Sequence, residues 1–544
     1  MVWVQQYDPF HFLPASALVA LLPILVFIFS VAVFRVKMIV AASLVLVLSI
    51  LLAVIPFGMP VLTALSAALY GFFYGFLPIG WIILNVVFLY RLTVKSGAFN
   101  TMRASITSIT PDARLQLILI GFAFSAFLEG VAGYGTPVAI SAALLVGLGF
   151  APLSAARLCL IGNTAPVAFG AMGTSLAVAA QVSHVNIDKL SMIAGGALPI
   201  LSLVALVCMV VLLSGVKGAR EVFPAMVVAG VAFAGAMSAT ALFVGIQLPA
   251  ITSGLFSMFA LTVFLRFWQP KNIVAFADHA PIFPAKIDTP PITLLSVARA
   301  WFPYVLLTAV IILWSSRAFQ SWFTNHAFFS AASWSIDMPF LHQTVVQTAP
   351  IVLTDTARDA VFKFDTINAL GSGIFLSAWI AAMLLKVKVK DTARLFGQTC
   401  RDLIPMIFSI GLILAFATVA NYSGMSSTVA LLFSKIGALY PLLAPGLGAF
   451  GVLLTGSDTS SNALFAPLQA AVAGQIGVSD SLLVAANSLG GAAGKMISPQ
   501  SIAVACAAVG LLGREGDVMN ATLKISLVFA ALSGIAVLVL SWVI

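Results

Sequence analysis

Gly456-Ser457-Asp458-Thr459-Ser460-Ser461-Asn462 interrupts an otherwise apolar part of the chain, with uncharged stretches at 446–455 and 463–474 on either side. Six consecutive polar side chains, Ser457 to Asn462, cannot face lipid, because every unpaired polar group in hydrocarbon is strongly disfavoured. Such a stretch is either a loop outside the membrane or a segment folded back into the protein around a cavity. The flanks, about ten to twelve residues each, are shorter than the roughly 20 apolar residues that a spanning helix needs. Two half-length helices meeting at a polar tip describe a re-entrant hairpin.

The wider composition places that hairpin in a membrane. The 544 residues are 61% hydrophobic and 8% charged, against about a quarter charged in soluble domains, and the mean hydropathy is +1.12. This is an all-α polytopic membrane protein by composition, with the lipid bilayer as its surroundings. The net charge of +9 does not signal nucleic acid. Lys and Arg fall largely in short loops between apolar runs, where the positive-inside rule puts them. Cys159, Cys208, Cys400 and Cys506 have neither disulfide nor metal spacing. No phosphate-binding loop or zinc-protease motif is present, so no metal and no cofactor is expected, and no catalytic constellation argues for an enzyme. The first residues lack the basic segment and cleavage site of a removable signal peptide.

About 12 apolar runs read as transmembrane helices, near 12–34, 38–55, 61–90, 154–183, 190–213, 223–246, 250–268, 297–316, 366–385, 403–420, 480–512 and 520–543. Arg35 and Lys37 put the first loop inside, and Arg91, Lys95, Lys217 and Arg220 continue the alternation. Both termini are therefore expected outside, as is the loop 317–365, a place for interfacial helices. Two stretches stand apart as re-entrant hairpins, 113–150 and 441–475. The first is centred on Glu129-Gly130-Val131-Ala132-Gly133-Tyr134-Gly135-Thr136-Pro137 and enters from inside, the second from outside. A short helix is expected before each, near 101–110 and 426–436.

A repeat ties the halves together. Asn163-Thr164-Ala165-Pro166-Val167-Ala168-Phe169-Gly170-Ala171-Met172-Gly173-Thr174 lies over Asn487-Ser488-Leu489-Gly490-Gly491-Ala492-Ala493-Gly494-Lys495-Met496-Ile497-Ser498 in the shared pattern N-[ST]-x-x-x-A-x-G-x-M-x-[ST]. Two halves of opposite orientation carrying broken helices form the inverted repeat of secondary transporters. The division is 1–222 for the first repeat, 223–365 for connecting scaffold and outer loop, and 366–544 for the second repeat.

The chemistry follows from the polar residues left inside. Asp458 in the bilayer core is disfavoured by roughly 2.5–3.5 kcal/mol on insertion scales. It reads as a proton-coupling carboxylate, or otherwise as a solvated Asp near a helix cap. Glu129 holds the comparable place in the first hairpin, with pairing to a loop arginine as the alternative. Thr459, Ser460, Ser461 and Asn462 open the returning half-helix, where free N–H groups and the helix dipole favour an anion. Thr136 is placed likewise, and Asn163, Thr164, Asn487 and Ser488 lie at the broken helices. Together they suit a carboxylate and an adjacent hydroxyl, though capping and small-residue packing use the same residues. Lys495 either meets a substrate carboxylate, neutralises Asp458 or snorkels to the interface.

With these stretches in view, the chain resembles the bacterial L-lactate permease family. The resemblance rests on Tyr70-Gly71-Phe72-Phe73-Tyr74-Gly75, Phe127-Leu128-Glu129-Gly130, Asn163 to Gly170, Val361-Phe362-Lys363-Phe364-Asp365, Asn421-Tyr422-Ser423-Gly424, Leu454 to Asn462, and Gly494-Lys495-Met496-Ile497-Ser498-Pro499-Gln500. It spans nearly the whole length. It implies proton-coupled symport of L-lactate, D-lactate and glycolate across a bacterial inner membrane, by an elevator-type carrier of the ion transporter superfamily. The proton is then the coupling ion, the partner is a small 2-hydroxymonocarboxylate, and a homodimer is left open. Tyr134 stands where the resemblance leads one to expect Phe. A Na+-coupled carrier on the same scaffold, a passive channel and a membrane-embedded enzyme are the rival readings.

Overall fold

Helix Met38–Val54 shows how these sequences pack: it turns Ala41, Ala42, Val45, Ser49 and Ala53 inward and leaves Val40, Leu44, Val47 and Leu51 exposed. Small residues face the neighbouring helices and large apolar ones face outward, the arrangement that lipid as solvent favours. The computed structural model describes residues 2–30, 34, 36–133, 135–164, 166–274, 293–316, 319, 321–322, 333–352 and 354–544, so Arg35, Tyr134 and Ala165 lie outside the described residues. Among these, 9 helices are long and apolar enough to cross a membrane, or 10 if the bent pair Pro152–Gly162 and Val167–Ser183 is one span. Shorter apolar helices at Leu13–Phe27, Met38–Val54, Pro249–Phe264 and Leu370–Leu384 occupy four of the other expected spans.

Both stretches expected as re-entrant hairpins are pairs of helices, and the outgoing arm of each lies in a run long and apolar enough to cross a membrane, Ala113–Val131 and Met425–Thr455. The first runs out through Ala113–Gln116, a π-helical stretch Leu117–Phe124 and Ser125–Val131, then returns through Thr136–Gly147. The second comprises Tyr440–Thr455 and Asp458–Ile476. Its arms, of 16 and 19 residues, exceed the half-length helices read from the sequence. The reason is local: Ser457 caps the returning arm by accepting from the Ser460 N–H at 3.3 Å, so the polar run from Asp458 is helix rather than loop. Every residue from Asp458 to Gln469 is buried, which removes the conflict between polar side chains and lipid. Short helices precede the hairpins at Ala98–Thr107 and Met425–Phe433.

The broken helices follow. The first stops at Gly162 and resumes past Ala171, Met172 and Gly173, all left-handed (φ 43, 58 and 73). The second stops at Lys495 and resumes at Pro499, capped by Ser498. Their resumed halves exchange partners: Gly170–Ser183 packs on the returning arm Asp458–Ile476, and Pro499–Val509 packs on the returning arm Thr136–Gly147. Outside this assembly, Gly71, Gly75 and Gly411 let helix Val61–Tyr74 and its π-helical continuation touch helix Val389–Tyr422 backbone to backbone. A Cβ on Gly75 would lie 2.9 Å from the Gly411 Cα.

Much of the first part of the loop expected to hold interfacial helices (317, 318, 320 and 323–332) lies outside the described residues, and its later part contains small sheets. Ser333–Asp337 pairs antiparallel with Val361–Asp365, while Val345–Gln347 pairs with Trp3–Val4 and Thr356–Ala357. The cause is alternation, as in Val361-Phe362-Lys363-Phe364-Asp365, a period of two that suits a strand exposed on one face.

Candidate functional site

Four helix N-termini meet at one point. They belong to Thr136–Gly147, to the resumed helix from Thr174, to Asp458–Ile476 and to Pro499–Val509. Between them lies a chamber of about 580 Å³, counted out to its open mouth, lined by Gly133, Gly135, Thr174, Ser175, Ser457, Asp458, Thr459, Gln500 and Ser501, with Glu129 and Lys495. Helix N-termini present unpaired N–H groups and the positive end of the backbone dipole, so their convergence favours an anion.

Two carboxylates face this space in different states. Glu129, 3% exposed, is fully engaged: Lys495 Nζ donates to its Oε1 at 2.8 Å and Asn163 Nδ2 to its Oε2 at 3.0 Å. The fit is close, since a Cβ on Gly170 would lie 2.6 Å from Glu129 Oε1. Asp458 is 5% exposed, and its Oδ2 accepts from Ser175 Oγ at 2.5 Å with Asn462 Nδ2 at 3.5 Å. Among the described residues its Oδ1 has no hydrogen-bond partner, and it faces Gly491, where a Cβ would lie 2.1 Å away. Among the described residues, Asp458 is in no ion pair. The chamber's fixed charge is therefore set by Asp458 alone: the other carboxylate and the lysine cancel.

The remaining expected site residues sit behind the wall. Asn462 Nδ2 lies 2.7 Å from Ser488 Oγ and 2.9 Å from Ser175 Oγ, and Asn487 Nδ2 donates to Asn462 Oδ1 at 2.8 Å. Ser461 Oγ donates to the Gly448 carbonyl at 3.1 Å. Ser461, Asn462, Asn487 and Ser488 thus form a buried, hydrogen-bonded layer behind Ser175. Thr164 turns back on the Leu160 carbonyl at 3.1 Å. Asn163 orients Glu129, while Ser460 and the half-buried Thr136 do not line the chamber. Of the residues expected to cradle a substrate, Thr459 and Lys495 reach it. Lys495 is neither Asp458's partner nor free, because Glu129 holds it.

Sequence reading missed Ser175 entirely. Its neighbour Thr174 closes the repeated pattern, but the left-handed turn through Ala171, Met172 and Gly173 decides which hydroxyl meets Asp458. Ser501 and Gln500 were missed for a related reason: they follow the second break, at the start of a helix not recognised as separate.

An apolar helical bundle folded around a polar chamber of converging helix ends defines a class, the multi-pass membrane transporter. The family is shown by comparison. The L-lactate permease family profile matches residues 16–544, and the chain belongs to that family. It is 48% identical over 552 residues to the Glycolate permease GlcA of Escherichia coli (strain K12), covering 100% of this chain and 99% of that one. It is 47% identical over 548 residues to the L-lactate permease of the same organism, covering 100% of both. The solved structure of Neisseria gonorrhoeae MtrF aligns over 94% of this chain and 96% of that chain at 14% identity, with a TM-score of 0.49. Family and relatives are permeases, not enzymes.

Proposed function

We propose that the chain is a secondary active transporter that carries one proton with one small 2-hydroxymonocarboxylate, lactate of either hand or glycolate, across the bacterial inner membrane. The substrate class is supported by the permeases named for lactate and glycolate. The carrying observation for the coupling is Asp458, a buried carboxylate without a counter-ion among the described residues, where four helix N-termini converge. An ionised Asp458 repels a substrate carboxylate from that point, while a protonated one leaves the helix ends free to receive it. Binding of the anion and binding of the proton therefore favour each other. Lys495 and Glu129 hold each other and keep the remainder of the wall neutral.

The exchange of partners between the halves supports an inverted repeat, 1–222 and 366–544, around a scaffold in 223–365. In that arrangement the hairpins and broken helices move together as an elevator, and both termini lie outside. The test is uptake of labelled lactate into proteoliposomes under separately imposed pH and Na+ gradients. Accumulation driven by an outside-acid pH gradient without Na+ is expected. Accumulation that follows Na+ and ignores pH would replace the proton with sodium, and equilibration without accumulation would make the protein a channel.

A further inference from the structure

One helix touches both hairpin tips across the chamber. Pro499–Val509 begins at the second break, where Ser498 Oγ accepts from the Ser501 N–H at 3.2 Å. Gln500 and Val504 stand one turn apart on it, about 6 Å along the axis, and so share a face. Both line the chamber. Gln500 lies against the second hairpin and leaves no room for a Cβ on Gly456, and its side-chain amide makes no hydrogen bond to the described residues. Val504 lies against the first hairpin, where a Cβ on Gly135 would sit 3.4 Å from its Cγ1. Both glycines are left-handed (φ 71 and 81), so each tip meets this helix as bare backbone. The walls of the chamber differ in character. Ser175, Asp458 and Thr459 form a polar side, and among the described residues Val167 and Val504 are the lining apolar side chains larger than alanine. Val167 is 4% exposed, whereas Val504 is half-buried and offers more of its surface. About 70 Å³ of the chamber is open to water-sized groups, room for about five of them, which is the bulk of a two- or three-carbon acid.

We propose that this helix face selects the substrate at its second carbon, with Val504 against the methyl group that separates lactate from glycolate and Gln500 on the hydroxyl. The carboxylate is drawn to the helix N-termini at Thr174 and Thr459. A methyl group turned toward Ser175 or Asp458 would strip water from polar atoms and give them no partner in return. Turned toward Val504, it exchanges water for an apolar wall. Val504 meets the Gly135 backbone there, so the apolar side is short and suits one methyl group better than a longer chain. An amide both donates and accepts, so Gln500 serves a hydroxyl in either sense. The acids named rest on the carrier reading above, whereas the division of the wall into polar and apolar sides does not.

Selection is read as a ratio within each variant, which a smaller yield of folded protein does not change. In proteoliposomes without ion gradients, exchange of labelled for unlabelled lactate is inhibited with glycolate, 2-hydroxybutyrate or propionate. Val504→Ala is expected to improve 2-hydroxybutyrate relative to lactate roughly tenfold, and Val504→Leu to favour glycolate over lactate by a similar factor, the effect of one methyl group in an apolar pocket. Where one of these variants does not fold, the other still gives its ratio. Gln500→Met keeps the length and removes the amide. It should weaken lactate relative to propionate, which lacks the hydroxyl, roughly tenfold. Equal changes for all the acids in a Val504 variant would make that residue a packing element, and an unchanged ratio of lactate to propionate in Gln500→Met would take the hydroxyl from Gln500; either overturns the proposal. A wild-type chain that exchanges no lactate would remove the carrier reading and the selector with it. The expected ratios in a chain whose net uptake ignores a pH gradient would support the selector while removing the proton coupling.

Discussion

Asp458 and Glu129 differ by one partner, and on the proposed reading that difference separates their roles. Lys495 cancels Glu129 at 2.8 Å, so removing either member strands a charge. Lys495→Met is expected to lose about 3–5 kcal/mol of stability, the usual penalty for breaking a buried pair. Adding Glu129→Leu should restore much of it, since a buried pair contributes little net beyond an apolar substitute. Thermal unfolding in detergent of the two single variants and the double variant checks this; additive losses would show that the pair is not coupled. Asp458→Asn keeps the shape and removes the titratable proton. It should abolish pH-driven accumulation while preserving exchange of labelled for unlabelled lactate across the membrane. Gly491→Ala reaches the same carboxylate from behind, because its Cβ would meet Oδ1 at 2.1 Å. Uptake should fall in that variant while the chain still folds, and unaltered uptake would mean that Asp458 can shift without consequence.

Hairpins that carry a site need a fixed foot. For the first hairpin that foot is Arg114, fully buried, which donates to Asp112 Oδ2 at 2.9 Å, to Glu221 Oε2 at 2.8 Å and to the Asn272 carbonyl at 2.6 Å. Burial alone would raise the Asp112 carboxyl, but hydrogen bonds from the Arg114 side chain and the Val274 N–H outweigh it and hold the group below its ordinary value. A carboxyl depressed in the folded state adds stability that is complete above its unfolded pKa, about 3.9. That stability is lost as pH falls through the lower, folded value. The melting temperature should thus fall more steeply below about pH 4 in the wild type than in Asp112→Asn. Parallel acid profiles would show that the foot carries no linkage. The elements themselves were legible: both hairpins and both breaks follow from glycine and polar residues inside apolar runs. Side-chain direction was not. Asn462 and Asn487 read as ligands by residue type, yet helix phase turns them toward each other, while Ser175 reaches Asp458 through a left-handed turn that neither Ala171 nor Met172 announces.

At the scale of the molecule, apolar composition fixed the class, and alternation in 333–365 escaped because hydropathy windows average it away. Charge accounting is what remains visible from sequence to mechanism. On the proposed one-proton coupling, a chamber whose fixed charge is zero with Asp458 protonated would carry lactate and one proton with no net charge. Such a cycle ignores voltage. Moving one net charge through 100 mV is worth about 2.3 kcal/mol, roughly a fiftyfold accumulation at equilibrium, whereas one pH unit is worth about 1.4 kcal/mol, or tenfold. Proteoliposomes with a one-unit outside-acid gradient should therefore accumulate lactate about tenfold, and an added inside-negative potassium diffusion potential should leave that ratio unchanged. Two protons per lactate would give about a hundredfold from pH alone and a further fiftyfold from 100 mV. Voltage-driven accumulation would mean that more than one proton accompanies each lactate.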